Sequence, residues 1–358
     1  MNRVPQVADN QKSELDTLPL ITALISVHNG LPFVEQAIRS IMKQTLTNIE
    51  ILVVDDGSTD GTSEILSQLA AEDPRIRVER MEHNVRLPRA LNHGLSLARA
   101  PLIARMDADD VSHPERLAVQ KHYLDLHTDV VAVGSSLRRT REDGRVFQTT
   151  VRPRDAFMCR WIMRFRLPFV NPTTMFRYPL PDGTRLTYDP AYPNAEDHDF
   201  YGRMMQHGGM VCLSEVLLDY RHHPKSLSHS RWIEQTQFAK TICQNIMRQE
   251  LPADVLVALS PTITAFFDFK PVPPEHIFDG LRQMLAYDIQ HAPMYRTWLR
   301  RQTAQFAFDT MRRSKRSKKE ILFAFLGPGR DLLPSLILRF AEIMNLLPRA
   351  LSSQPSIH

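Results

Sequence analysis

The chain has 358 residues, 43% of them hydrophobic and 23% charged, with a formal net charge of +4. That length and apolar content are enough for one large core or two modest ones, which excludes global disorder. The 44 basic residues are nearly matched by 40 acidic ones, so no nucleic-acid partner is implied, and three scattered cysteines without CxxC spacing exclude a disulfide framework and a structural zinc site and fit a reducing compartment.

Residues 1–18 are polar, lack the apolar core of a signal peptide, and are expected to form a flexible tail; no run reaches the ~18 apolar residues of a spanning helix. A cytoplasmic location is the resulting expectation. Leu20 to Val27, LITALISV, reads as a buried strand ending in the turn HNG, and LPFVEQAIRSIMKQT then places Val34, Ala37, Ile38 and Ile41 at helical spacing. Ile49 to Val54 is a second strand that breaks into DDGSTDGT, followed by the helix SEILSQLAAED. RIRVERM is a third strand, RALNHGLSLAR a helix and PLIARMDADD a fourth strand. Strands alternating with helices predict parallel βαβ units in an α/β sheet, with the ligand crevice at the carboxyl ends of the strands. HNG, DDGSTDGT and DADD would then gather at one edge.

Beyond Val119, VVAVGSSLRRT reads as a further strand, and VFQTTVRP leads into an Arg-rich and Trp-containing stretch. PAYPNAEDHDFYGRMMQHGG starts extended and turns helical near Glu196, and MVCLSEVLLDYRHHPKSLSHS reads as a strand pair ending in a basic loop. From residue 231 onward the pattern is helical. There the basic run Arg312 to Lys319 precedes an amphipathic helix, with Ser335, Arg339, Glu342 and Asn345 on one face and Leu336, Phe340, Ile343 and Leu347 on another. Such a helix either packs on its own domain or, with the cationic run, meets an anionic membrane surface.

Asp107, Asp109 and Asp110 crowd three carboxylates at the end of a buried strand. Like charges this close repel, so the group asks for a cation, and carboxylate oxygens suit a hard divalent ion whose shell a substrate's phosphates complete. The alternative for these acids is N-capping of the helix that starts at HPERL. In VDDGSTDGT, Asp55 and Asp56 can accept hydrogen bonds from a base or ribose beside Gly57, or can simply organise a βα turn. Asn171 and Thr173 in NPTTMFR either line a pocket or form a turn before a strand.

ALISVHNG, ILVVDDGSTDGT, NVRLPRALNHGL, LIARMDADD and NAEDHDF stand in the order and approximate spacing of the family 2 inverting glycosyltransferases, and the likeness spans roughly Pro19 to Ser230. This resemblance implies a GT-A fold: α/β and Rossmann-like, with a mostly parallel sheet flanked by helices. The catalytic domain would cover 19–230, with a nucleotide-sugar half to about 115 and an acceptor half from about 116, followed by a helical region at 231–358. By the same resemblance, Ser26, His28, Asn29, Asp55, Asp56 and Asn92 bind a nucleotide diphosphate-sugar donor, together with Asp107, Asp109 and Arg221. Asp109, Asp107 and His223 would hold Mg²⁺ or Mn²⁺. Asp197 is the implied general base, with Glu196 beside it and Asp199 as a further candidate. The implied acceptor is a saccharide or lipid-linked saccharide in surface or extracellular polysaccharide synthesis, met in the cytoplasm or at the inner face of the membrane.

The chain departs from the family pattern at His28, where Tyr is usual, at Arg86, where Gly is common, and at Ala100-Pro101, where another Gly is common. Arg86 either brings a cation near the diphosphate or faces solvent. A non-catalytic nucleotide-sugar or saccharide-binding protein of the same fold is the rival reading; a nucleotidyltransferase is a weaker one, because SVHNGLPF offers a single glycine in place of a phosphate loop.

Overall fold

The computed structural model describes residues 18–151, 154–223 and 232–314, with 316–317, 320–321, 324–325, 329 and 331–332. The expected N-terminal tail, most of the basic loop after His223 and the amphipathic faces at 335–347 lie outside these residues.

Four strands open the fold: β1 (Ile21–Val27), β2 (Ile49–Asp55), β3 (Ile76–Arg80) and β4 (Leu102–Asp107). They pair in parallel in the order β3-β2-β1-β4. Each after β1 is reached through a helix: α1 (Val34–Met42), α2 (Thr62–Glu72) and α3 (Leu87–Leu97). Helix α1 buries Val34, Ala37, Ile38 and Ile41, the residues its spacing picks out. They pack with Ile21, Ala23, Ile25 and Val27 of β1, with Ile51 and Val53, and with Ala104 and Met106 of β4. Because strand side chains alternate, Ser26, Arg105 and Asp107 then belong to the opposite face of the sheet.

The remainder of the sheet turns mainly antiparallel. Strand β5 (Val111–Ser112), helix α4 (Arg116–Leu126), β6 (Val130–Thr140), β7 (Val146–Thr150), α5 (Ala156–Met163), β8 (Met175–Arg177), α6 (Glu196–Met204) and β9 (Gly209–Arg221) follow. The sheet continues past β4 as β8-β6-β9-β5, with β7 on the outer edge of β6. The expected strand pair in MVCLSEVLLDYR is one strand, β9, which runs parallel to β6 and absorbs irregularities in register near Ser135 and Ser136 instead of turning back.

The chain divides into two compact units after Cys243, a boundary inside α7 (Trp232–Glu250). The second unit contains α8 (Ala253–Phe267), α9 (Pro274–His291) and α10 (Arg296–Arg313). Its core includes Leu259, Phe278, Leu281, Met284 and Leu299. Among the described residues no helix is long and apolar enough to cross a membrane.

Candidate active site

The carboxyl ends of β1, β2 and β4 are aligned by register: Ser26 sits opposite Asp107, and Val27 opposite Asp55. The HNG and DDGSTDGT loops therefore meet. His28 Nδ1 donates to the Asp56 carbonyl (2.8 Å), and Asn29 Nδ2 lies 3.3 Å from Nε2. Asn29, at φ 55°, receives the Thr59 N–H on Oδ1 and donates its own N–H to Ser58 Oγ, each at 2.9 Å.

Asp55 is fully buried, and its two oxygens accept from the Ser58 N–H (3.0 Å) and the Ser63 hydroxyl. Turn organisation is the role its geometry shows. Asp56 accepts the Val85 N–H (2.7 Å) on Oδ1, which ties the second loop to the segment leading into α3. Gly57 is required at this crossing: at φ +68°, a Cβ would lie 2.7 Å from the His83 backbone. Asn92 is half-buried in α3, and its amide clips both backbone groups of Tyr188: Nδ2 donates to the carbonyl (2.8 Å) and Oδ1 accepts the N–H (2.7 Å). The expected donor contact thus becomes a clamp on a distant loop, since the polar ends of the side chain are already engaged.

Asp107, Asp109 and Asp110 lie close, with one oxygen from each within 4.8 Å of the others. They are not helix caps, because β5 intervenes and α4 begins at Arg116 with Glu115 at its N-cap. Asp110, which sequence alone leaves as a loop or cap residue, is 1% exposed. Its Oδ1 accepts the Arg221 N–H (2.9 Å), while its Oδ2 is buried without a partner in the structure. Burial first, then Asp109 and Asp107, push the Asp110 carboxyl well above its ordinary range. Burial and Asp107 likewise raise Asp109. An all-carboxylate oxygen donor set with one orphaned buried oxygen fits a hard divalent cation.

Arg221 corrects an expectation. Its guanidinium is 4% exposed and donates to the Asp109 carbonyl (2.8 Å), the Glu142 carbonyl (2.6 Å) and Gln36 Oε1 (2.6 Å), over the Phe33 ring at 4.6 Å. Each of its three nitrogens serves a neutral protein acceptor, which makes it a brace of the acidic loop. His223 Nε2 lies 2.8 Å from Asp109 Oδ2.

Sequence reading missed Arg105. It is 1% exposed and donates through Nη2 to Asp107 Oδ1 at 2.6 Å and through Nη1 to the Met106 carbonyl. Its Nε is buried without a partner. Burial works against its charge, and Asp107 with the Tyr188 and Tyr201 phenols more than restores it. Strand alternation was the available signal: an Arg two residues before an Asp shares its face. Arg116, fully buried in α4, donates to the Arg105 carbonyl (2.6 Å), and burial lowers its pKa to about 10.

Helix α6 brings the second acid group. Asp199 is committed to Arg203 (2.6 Å), which removes it from the three candidates. Glu196 is 5% exposed with Oε2 unpartnered, and burial together with Asp197 raises its pKa to about 8. Asp197 accepts the His198 N–H on Oδ1 (2.7 Å), leaving Oδ2, and burial raises its pKa to about 6. Asp107 raises, and Arg105 lowers, the pKa of both Glu196 and Asp197, so the acids at the end of β4 and those on α6 share one electrostatic site. Five carboxyls there face three buried guanidiniums, Arg105, Arg116 and Arg221, an excess of negative charge that a cation and a retained proton on Glu196 would relieve.

Asn171 and Thr173 belong to a 3-10 turn. Thr173 is fully buried with its hydroxyl on the Val170 carbonyl, and Asn171 Oδ1 accepts the Tyr201 hydroxyl at 3.2 Å. Arg86 is exposed, at φ 72° and ψ 154°.

The family model described as Glycosyl transferase family 2 matches residues 22–181. The O-antigen biosynthesis glycosyltransferase WbnJ of Escherichia coli is 32% identical over 222 residues, covering 60% of this chain and 85% of that protein. Among solved structures, S. aureus TarS 1-349 in complex with UDP-GlcNAc superposes with a TM-score of 0.57 at 17% identity, over 82% of this chain and 88% of that one. The mannosyltransferase PcManGT from Pyrobaculum calidifontis, in complex with GDP-Man and Mn2+, gives 0.50 at 18% identity, over 83% and 87%. The aligned strand ends and the sequence relatives agree: this chain is a GT-A fold glycosyltransferase and belongs to glycosyltransferase family 2.

Proposed function

We propose that the protein transfers a sugar from a nucleotide diphosphate-sugar to a hydroxyl of a saccharide or lipid-linked saccharide, with inversion, in the synthesis of a surface or extracellular polysaccharide. The observation that carries this reading is the joining of two acid groups at one site: the triad after β4 and Asp197 on α6, with Arg105 between their charges. The nucleotide-sugars and Mn²⁺ bound by the TarS and PcManGT structures support the donor class, and the O-antigen relative supports the pathway class.

Asp107 and Asp109, with Asp110 and His223 beside them, would hold Mg²⁺ or Mn²⁺. That ion supplies Lewis-acid stabilisation of the departing nucleoside diphosphate. His28, Asn29 and Asp56 line the donor end of the sheet, and Arg105 fixes Asp107 Oδ1. Asp197 takes the acceptor hydroxyl's proton on Oδ2 as that oxygen forms its bond to the anomeric carbon. The bond from that carbon to the diphosphate breaks on the opposite side, so a single displacement inverts the centre. A carboxyl with pKa about 6 is ionised at neutral pH and still basic enough to help, a contribution of typically 10²–10⁴-fold.

The test is thermal stabilisation by UDP, GDP, dTDP and CMP, each with and without Mn²⁺, on the wild type and on Asp109→Ala. A Mn²⁺-dependent rise in melting temperature with one nucleotide, lost in the variant, is expected, because a ligand that binds only the native state stabilises it by mass action. Equal shifts in both proteins would refute the assignment of the metal ligands.

A further inference from the structure

Of the six exposed large apolar side chains among the described residues of the first unit, three fall on and just after the edge strand β7: Val146 (47% exposed), Phe147 (48%) and Val151 (55%). Arg139 pairs with Gln148 and Thr140 with Val146, so Phe147 is the extra residue of a bulge. Bulges re-aim side chains and are common next to active sites. Here the bulge turns Phe147 onto the His222 ring (5.3 Å, edge-on), and His222 in turn meets the Tyr220 ring at 5.1 Å. Arg139 completes the group: its Nη1 donates to His222 Nε2 at 2.8 Å, and its guanidinium stands 5.7 Å from the Tyr220 ring centre.

This cluster adjoins the acid site along the chain, with Tyr220 and Arg221 on opposite faces of β9. His222 precedes His223, which contacts Asp109, and the Glu142 carbonyl at the tip of the same hairpin accepts from Arg221, whose Nε holds the Asp109 carbonyl. Three partly exposed rings next to a planar donor match the two surfaces of a pyranose, which has C–H faces that lie on aromatic rings and a rim of hydroxyls that take hydrogen bonds. Insertion into a lipid surface is disfavoured, because the hairpin tip carries Arg141, Glu142, Asp143 and Arg145 while the rings lie along its side.

We propose that Phe147, Tyr220, His222 and Arg139 form a saccharide-docking platform that holds the acceptor glycan beyond the hydroxyl that reacts. This rests on the acceptor reading above and deepens it. The test is binding of labelled protein to an array of immobilised saccharides in the presence of Mn²⁺ and the nucleoside diphosphate that raises its melting temperature, comparing wild type with Phe147→Ser and Arg139→Ala. Phe147 is half exposed, so its replacement leaves the core intact, and the Mn²⁺-nucleotide shift serves as an independent check of the donor site. Saccharide binding reduced at least tenfold in both variants, with the nucleotide shift retained, is expected. Unchanged saccharide binding in Phe147→Ser, or wild-type protein that binds no saccharide and instead adheres through Phe147 to vesicles of phosphatidylcholine and phosphatidylglycerol, would overturn the platform. Loss of the nucleotide shift in wild type would instead refute the donor reading.

Discussion

Replacing Arg105 by Met keeps the side chain's approximate length and removes its charge. The 2.6 Å pair with Asp107 is then broken from the buried side, and Glu196 and Asp197 lose the guanidinium that lowers their pKa values. Removing one partner of a buried pair costs about 3–5 kcal/mol. Asp107 is one-third exposed, so water recovers part of this and the lower end, about 3 kcal/mol, is the expected loss. For a unit of this size each 1 kcal/mol shifts the melting temperature by roughly 2–4 °C, giving a drop of about 6–12 °C for Arg105→Met. Differential scanning calorimetry without metal measures it, and saturating Mn²⁺ should restore part of the loss because the ion supplies positive charge at the same carboxylates. Arg105→Lys should fall between the two proteins. A Met variant melting within 2 °C of wild type in metal-free buffer would show that the pair has no net worth and would sink this account of the site.

Asp197→Asn should lower kcat by roughly 10²–10⁴-fold while leaving the Mn²⁺-nucleotide melting shift intact; loss of that shift would assign Asp197 to donor binding. In wild type the activity should rise with pH through about 6 as Asp197 deprotonates. Glu196 titrates higher in the folded protein, about 8, than its ordinary 4.5, so its contribution to stability is present below pH 4.5 and is lost as pH rises through 8, by on the order of 5 kcal/mol. Glu196→Gln should therefore flatten the decline of melting temperature between pH 6 and 9, and an unchanged decline would refute its assignment. Arg86→Gly should raise the melting temperature by about 1–4 °C, since φ 72° and ψ 154° fall in a region that is essentially glycine-only and costs about 1–3 kcal/mol, offset in part by glycine's greater unfolded-state entropy.

The parallel half of the sheet was legible because each strand is a short β-branched run and each helix carries its apolar residues at helical spacing, as in Val34, Ala37, Ile38 and Ile41. The crevice followed from the polar loops at the strand ends. What sequence could not supply was the partner of each polar group. Asn92 shares letters with donor-binding residues, yet its partner is 96 positions away at Tyr188. Arg221 looks like a phosphate ligand in a basic loop until the carbonyls of Asp109 and Glu142 are found against it. Asp110 has the look of a cap, and its burial depends on β9 arriving beside it. The choice among Glu196, Asp197 and Asp199 needed only one helical turn of geometry, since Arg203 stands four residues after Asp199.

The bonds of Arg221 also bear on the rate and cost of metal capture. By gripping the Asp109 carbonyl, Gln36 of α1 and the hairpin tip, this one guanidinium braces the backbone of the acidic loop through protein contacts. An ion arriving there meets carboxylates already in place and has little chain to order, so association should be limited by the shedding of its own water shell and not by loop closure. Metals that exchange water quickly, Mn²⁺ ahead of Mg²⁺, would then load first, whatever their final affinities.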